Sequence, residues 1–230
     1  MKGLKMTKKV YFVRHGQSRG NVDGVFHGPE VPLTKHGEEQ ARFVAARCKG
    51  LHPEVIISST MERARQTGGF IAEATGAPIE YSDDFVERLD PSSLRDQSGA
   101  DPLVDALHKR WTESFFAHNV RIEDGENFED IRDRAKRALK HIEERAEERI
   151  VAVTHGFFLR MIVAYITSGD SLTPEGFKDF LLAFRTTNTG ITFIQSGSDD
   201  IWHPWMGSRT WIIRAWNDYA HLGDSHSKHE

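Results

Sequence analysis

The order of elements in this 230-residue chain predicts an α/β protein: a three-layer sandwich with a mostly parallel central sheet and helices on both faces. Two observations predict it. Three short runs, Val10-Tyr11-Phe12-Val13, Val55-Ile56-Ile57-Ser58 and Ile150-Val151-Ala152-Val153-Thr154, are β-branched and apolar enough to be strands buried on both sides. Through most of the chain such runs alternate with stretches of helical periodicity, and that alternation builds a parallel sheet covered by helices.

Each element can be justified in turn. The first strand ends at Arg14-His15-Gly16 and leads into a glycine-rich loop holding Gly16, Gly20, Gly24 and Gly28. Gly16 supplies the freedom to turn sharply where the strand stops. Thr34 is placed to cap a helix over 35–49 that ends near Gly50, and Cys48 within it reads as a small buried thiol. After the second strand, Thr60 is placed to cap a helix from Met61 to about Thr75, stopped by Gly76 and Pro78. Ile79-Glu80-Tyr81 reads as a short strand. Residues 88–102, rich in Pro, Ser, Asp and Gly, read as a loop. Helices follow over roughly 102–117 and 126–147, the second carrying charge pairs four residues apart that suit a solvated face. A helix begins near Gly156 after the third buried strand. Strands around 190–196 and 209–216 complete the sheet, and Trp202, Trp205, Trp211 and Trp216 fit the core of a terminal hairpin.

The length suits one domain over 1–230, with flexible tails at 1–8 and 223–230. A formal net charge of −4 supplies no overall positive field, so nucleic acid and anionic membrane are poor partners and any anion site must be made locally. One cysteine excludes an internal disulfide and fits a reducing compartment. Residues 1–9 are basic without an apolar signal core, and no apolar stretch approaches the roughly 18 residues of a membrane span. These features predict a cytoplasmic protein. The oligomeric state stays open, a homodimer included.

The polar groups of interest stand at the ends of the three buried strands. Arg14 and His15 follow the first, at the carboxyl end where open α/β sheets hold ligands. A guanidinium can bind a phosphoryl group while a neutral imidazole attacks it. Arg63 lies in the first turn of the helix after the second strand. Arg65 sits about 200° further round that helix and faces elsewhere. Thr154-His155-Gly156 repeats the order strand, histidine, glycine, and its helix start offers backbone N–H groups to an anion. If the three strands run parallel, these groups converge. His27, His36, His203, His226 and His229 lack metal-ligand spacing, so neither metal nor cofactor is expected.

With these residues in view, the chain resembles the histidine phosphatase superfamily, in its phosphoglycerate-mutase-like branch. The match rests on Arg14-His15-Gly16-Gln17-Ser18 with Asn21, then Phe26, Gly28, Leu33-Thr34 and Gly37. It continues through Ser58-Ser59, Arg63-Ala64, Gln66-Thr67, Glu87, Gly125-Glu126 and Thr154-His155-Gly156, and closes on Asn217 with His221-Leu222. The resemblance implies that His15 is a nucleophile that becomes a phosphohistidine. It implies that Arg14, Arg63 and His155 hold the phosphoryl oxygens, with Asn21, Gly28 and Gly156 completing the substrate-binding set. Glu87 matches the acid that protonates the leaving oxygen.

The chemistry of these residues agrees with the roles. Adjacent arginines discourage protonation of His15, and fixed cations meet the charge on the equatorial oxygens. The segment after Glu87, Arg88-Leu89-Asp90-Pro91-Ser92-Ser93-Leu94-Arg95-Asp96-Gln97-Ser98-Gly99, departs from the family pattern, which leaves Asp84 and Asp90 as alternatives for the acid. The paired arginines of a mutase are absent from 103–125, where Lys109-Arg110 is the only adjacent basic pair. The reading that follows is a metal-independent phosphatase of small phosphomonoesters. Its alternatives are phosphoglycerate-mutase-type transfer and a non-catalytic member that binds a phosphorylated partner. Residues 88–102, 102–117 and 168–188 are expected to form the wall that selects the leaving group.

Overall fold

The computed structural model describes residues 7–196 and 211–223. In chain order the elements are β1 (Lys9–Arg14), β2 (Val25–Phe26), α1 (Lys35–Cys48), β3 (Val55–Ser58), α2 (Glu62–Thr75), β4 (Ile79–Tyr81) and β5 (Gln97–Ser98). They continue as α3 (Pro102–Ser114), α4 (Phe128–Glu143), β6 (Arg149–Thr154), α5 (Gly156–Ser168), α6 (Pro174–Ala183), β7 (Ile191–Ser196) and β8 (Trp211–Asp218).

Six of the strands form one sheet in the order β4-β3-β6-β1-β7-β8. The first four run parallel, and only β7 is reversed, pairing antiparallel with β1 and β8. The mostly parallel sheet predicted from the alternation of elements is therefore present. Register does the rest: Arg14 pairs with Thr154 and Ser58 with Val153, so β1, β3 and β6 end level with one another. The amide of His15 donates to Thr154 O (3.0 Å) and that of Ser59 to Val153 O (2.9 Å), carrying the alignment one residue past each strand.

Alternate residues of β1 explain the layers, because successive side chains leave a strand on opposite faces. Val10 and Phe12 join a cluster with Ile131, Leu139, Phe158 and Phe177 from α4, α5 and α6. Val13 joins Val44, Cys48, Ala64 and Ile71 from α1 and α2. Burial of Cys48 pushes its thiol up to about 12, as suits an inert packing group.

Four local expectations need correction. Thr60 does not cap α2: its hydroxyl donates to Asp83 Oδ1 (2.6 Å), while Ser59 Oγ accepts from the Met61 amide (3.2 Å) and the helix starts at Glu62. The helix α4 is amphipathic rather than merely solvated, with Phe128, Ile131, Ala135, Ala138, Leu139 and Ile142 buried along one stripe and Arg134 buried among them. The 88–102 loop contains β5, which pairs antiparallel with β2 and ties this segment to the glycine-rich loop. Lys8, expected in a tail, is buried, and its amide donates to Ser196 Oγ (3.0 Å). The remainder of those tail expectations, apart from Thr7 and Gly223, and the two tryptophans Trp202 and Trp205 lie outside the described residues.

Candidate active site

The level ends of β1, β3 and β6 open onto a cavity of about 440 Å³. Its wall includes Arg14, His15, Asn21, Arg63, Glu87 and Gly156 from the residues expected at the site. Two other members of that set stand differently. His155 lies fully buried behind the wall, its ring centroid 4.9 Å from that of His15. Gly28 is not among the lining residues; a Cβ there would meet only the Arg95 side chain, at 4.0 Å.

His15 is 3% exposed and held in one orientation. Its Nδ1 lies 2.7 Å from Gly16 O, a partner that can only accept, so Nδ1 carries the proton and Nε2 keeps the lone pair. That nitrogen accepts from Arg63 Nε at 3.3 Å. Burial, followed by the charges of Arg63 and Arg14, holds the imidazole well below its ordinary pKa, so the ring is neutral. The backbone carbonyl of His15 accepts from Asn188 Nδ2 (2.9 Å), which fixes the residue from the segment before β7.

The cations are positioned by the elements that carry them. A guanidinium N–H of Arg14 donates to Thr186 O. Arg63 projects from the first turn of α2. His155 is neutral for the same reason as His15, burial first and then Arg63; its Nε2 lies 2.8 Å from Ser59 Oγ, while Nδ1 is buried with no hydrogen-bond partner among the described residues. Asn21 accepts from the Ser18 amide at 3.0 Å, which ties its carboxamide to the loop.

Two glycines are needed for close approach. A Cβ on Gly16 would stand 2.4 Å from Gly37 O, so the requirement there is packing of the loop on α1; its φ is not in the left-handed region. A Cβ on Gly156 would stand 2.8 Å from Thr186 Oγ1 and 3.2 Å from Arg14 Nε, displacing the arginine from the cavity.

The carboxyl side is more elaborate than the sequence suggested. Glu87 Oε1 accepts from the amides of Phe158 (2.9 Å) and Arg88 (3.0 Å), and Oε2 from that of Phe157 (3.0 Å). It therefore sits at the amino end of α5. Arg134 supports the segment, donating to Val86 O (2.5 Å) and Glu87 O (3.2 Å) while forming a two-pronged pair with Glu126 (3.0 and 2.6 Å). Asp90 also lines the cavity. Asp84 does not: it pairs with Arg137 at 3.3 Å on the surface.

The outer wall adds Val25, Phe26, His27, Phe157, Arg160, Arg185, Thr186 and Asn188. Of the segments expected there, 168–188 contributes Arg185, Thr186 and Asn188 and 88–102 contributes Asp90, whereas α3 contributes nothing. His27 pairs with Asp23 at 2.7 Å. Sequence reasoning missed Arg134, Arg160, Arg185 and Asn188. The available signal was spacing: Arg160 stands one helical turn after Gly156, on the side that returns to the site. Among the described residues no three His, Cys, Asp or Glu side chains are grouped to hold a metal ion.

Two neutral histidines and two arginines, gathered where the parallel strands of an α/β sandwich end level, make a pocket of the kind that receives an anion. The sequence model of the histidine phosphatase superfamily (branch 1) matches residues 10–202, and the chain belongs to that family. Over 218 residues it is 33% identical to the "Probable phosphoglycerate mutase GpmB" of Escherichia coli O1:K1, covering 93% of this chain and 94% of that one. Its fold is similar to the alpha-ribazole phosphatase of Shigella flexneri, with a TM-score of 0.74 at 21% identity over 92% of this chain and 96% of the other. It is also similar to the phosphoserine phosphatase of Entamoeba histolytica in complex with 3-phosphoglyceric acid, at a TM-score of 0.69 and 20% identity over 94% and 99%.

Proposed function

We propose that the protein is a metal-independent phosphatase that hydrolyses small phosphomonoesters through a phosphohistidine on His15. One observation carries the reading: the Nδ1 contact to Gly16 O leaves the Nε2 lone pair of a neutral imidazole beside Arg63, in the cavity that Arg14 shares. A phosphoryl group entering there replaces the Arg63 contact to His15 with contacts to its own oxygens. Arg14, Arg63 and His155 then hold the oxygens, helped by Asn21 and the amide at Gly156, and Nε2 attacks in line. The leaving oxygen takes a proton from a cavity carboxyl, Glu87 or Asp90. In the second half-reaction that carboxylate accepts the proton of the water that attacks the phosphohistidine.

The outer wall supports a narrower class of substrate. Arg160 and Arg185 add two cations beyond the pair that serves the phosphoryl group. A small phosphomonoester with a second anionic group, such as the phosphoserine or 3-phosphoglyceric acid of the Entamoeba complexes, matches that distribution. The single buried Cys48 fits a reducing, cytoplasmic setting.

A second reading, phosphoglycerate-mutase-type transfer, is favoured by the name of the E. coli relative. The test is a panel of sugar phosphates, nucleotides, phosphoamino acids and phosphoglycerates, assayed for phosphate release with and without chelator. Release undiminished by chelator and inhibited competitively by vanadate is expected. Isomerised phosphoglycerate without phosphate release would favour the mutase, and activity restored from chelator only by a divalent ion would overturn metal independence.

A further inference from the structure

We propose that Asp90 selects the substrate, favouring phosphomonoesters whose leaving group carries a positively charged amine close to the ester oxygen. The inference rests on the phosphatase reading above and narrows its substrate class. It takes Glu87 as the proton donor, the role that the family resemblance implies.

Asp90 is held firmly but left without a partner. On one side of it the Leu89 amide donates to Glu126 Oε2 (2.9 Å) and Leu89 O accepts from the Glu126 amide (2.9 Å). Glu126 is in turn gripped by Arg134. On the other side Pro91 is buried against Gly125, where a Cβ would stand 2.7 Å from the proline ring. The Asp90 carboxyl, half-buried in the cavity wall, makes no hydrogen bond and no ion pair among the described residues.

The charges that bear most on this carboxyl are those of Glu87, Arg88, Arg63 and Arg95, and none of the three cations pairs with it. Arg63 gives Nε to His15 (3.3 Å) and a second nitrogen to Met61 Sδ (3.1 Å), and it turns to the phosphoryl group when one enters. Arg88 donates to the carbonyls of Glu126 (3.3 Å) and Trp111 (3.1 Å), with its guanidinium 3.5 Å from the centroid of the Trp111 ring. Arg95 is exposed. Burial, and then the charge of Glu87, push the Asp90 carboxyl up to about 6.

A lone carboxylate is a poor wall for a cavity that receives a phosphoryl dianion. It repels the incoming charge, and its partial burial without a partner is costly. A cation brought by the substrate reverses both effects, so the same carboxylate rewards one class of ester and disfavours the rest. An ammonium suits it, with three donors and a full charge. A hydroxyl can also donate to Asp90, but it leaves the like charges of Asp90, Glu87 and phosphate unbalanced. Because Asp90 neighbours Glu87, the ammonium it meets lies near the oxygen that Glu87 protonates. Arg160 and Arg185 stay available for an anionic group, and the phosphate ester of a hydroxy amino acid satisfies both parts of the wall.

The test compares O-phosphoethanolamine with 2-hydroxyethyl phosphate, esters that differ only in carrying an ammonium or a hydroxyl. In Asp90→Asn the ratio of their kcat/KM values, amine over hydroxyl, should fall by about 10–10²-fold, the scale of one charge-assisted contact. Reading the ratio removes any loss common to both esters, such as loss of packing or of a proton donor. Wild type supplies a second measurement that needs no variant. The ratio should fall as pH drops through about 6, where Asp90 takes up its proton. The two esters share the phosphate group, so its own ionisation largely cancels. A ratio left unchanged by Asp90→Asn, or flat through that pH range in wild type, overturns the assignment even where both rates collapse together. If wild type hydrolyses p-nitrophenyl phosphate but neither alkyl ester, the phosphatase reading stands and the selection of an amine falls. If it releases phosphate from none of the three, the phosphatase reading falls and this inference with it.

Discussion

The floor of the cavity and its outer wall are built by different means. On the floor, Arg14, His15, Ser59 and His155 follow directly from the ends of β1, β3 and β6, and backbone register alone brings them level. The wall is assembled from contacts between residues far apart in sequence: Arg134 to Val86 and Glu87, the β2–β5 ribbon, Arg185 O accepting from Trp216 Nε1 (3.0 Å). A strand end in a buried sheet offers little freedom of position, so it suits groups that must meet phosphorus in line. A wall held by side chains can be rebuilt by a few substitutions, which suits the selection of a leaving group.

The sharpest way to break this division is at His15. His15→Ala should abolish turnover, by at least about 10⁴-fold, while the melting temperature stays close to that of wild type, because the residue's backbone bonds to Thr154 and Asn188 survive. In wild type, rapid quenching with labelled substrate should trap an acid-labile, base-stable phosphoenzyme. The acid side of the pH profile gives a further check. A nucleophilic imidazole must be neutral, and that of His15 lies well below its ordinary value, so activity should be lost only as pH falls far beneath the usual histidine range. A wild-type acid limb centred near 6.5 would contradict the buried, arginine-flanked nucleophile.

Arg63 comes next. Arg63→Ala should lower kcat/KM by about 10²–10³-fold, the scale of removing one preorganised donor from a charged transition state. Arg63→Lys should recover little of it, because the contact to His15 is made by Nε, an atom of the planar guanidinium that an ammonium cannot reproduce. Substantial rescue by lysine would mean that the floor supplies charge without geometry.

The same division explains what the sequence could tell. The floor was legible because its cause is local: a β-branched run, then a polar residue and a glycine, with parallel order doing the rest. Helix limits set by one residue's capping were legible too, as at Thr34, whose hydroxyl accepts from the Gly37 amide at 3.0 Å. Thr60 misled because Asp83, 23 positions on, competes for its hydroxyl. The β2–β5 ribbon was invisible because each strand is two residues long, with too little pattern to register. Arg134 looked like one more charge on a solvated helix. Only the fold brings Glu126 and two carbonyls to it, and only then does burying a guanidinium become affordable.

That residue tests how the wall is held. Arg134→Met should destabilise the protein by about 3–5 kcal/mol, because Glu126 and the carbonyls of Val86 and Glu87 lose their buried partner. Arg137→Ala, a change on the same helix that breaks only an exposed pair with Asp84, should cost at most about 1 kcal/mol. Denaturant unfolding of the two variants measures both. Equal effects would mean that the segment carrying Glu87 is supported by packing and not by this network.

The smallest expected effect concerns the wall's selectivity. Arg160 and Arg185 stand outside the group proposed to meet the phosphoryl oxygens, one anchored by Nε to Gly156 O (3.1 Å), the other exposed. If they receive a second anionic group, Arg185→Gln should weaken 3-phosphoglycerate relative to glycerol 3-phosphate, two esters that differ by a carboxylate. The expected change is about tenfold in the ratio of KM values, the modest size that fits a charge-assisted contact still open to water. It should shrink further as salt is raised, whereas the effect of Arg63→Ala, inside the buried floor, should hardly depend on salt. A ratio of KM values that Arg185→Gln and Arg160→Gln both leave untouched would put the selecting contacts elsewhere. The apolar residues Val25, Phe26 and Phe157 would then be the surfaces to examine, since they are the remaining part of the wall able to tell one leaving group from another.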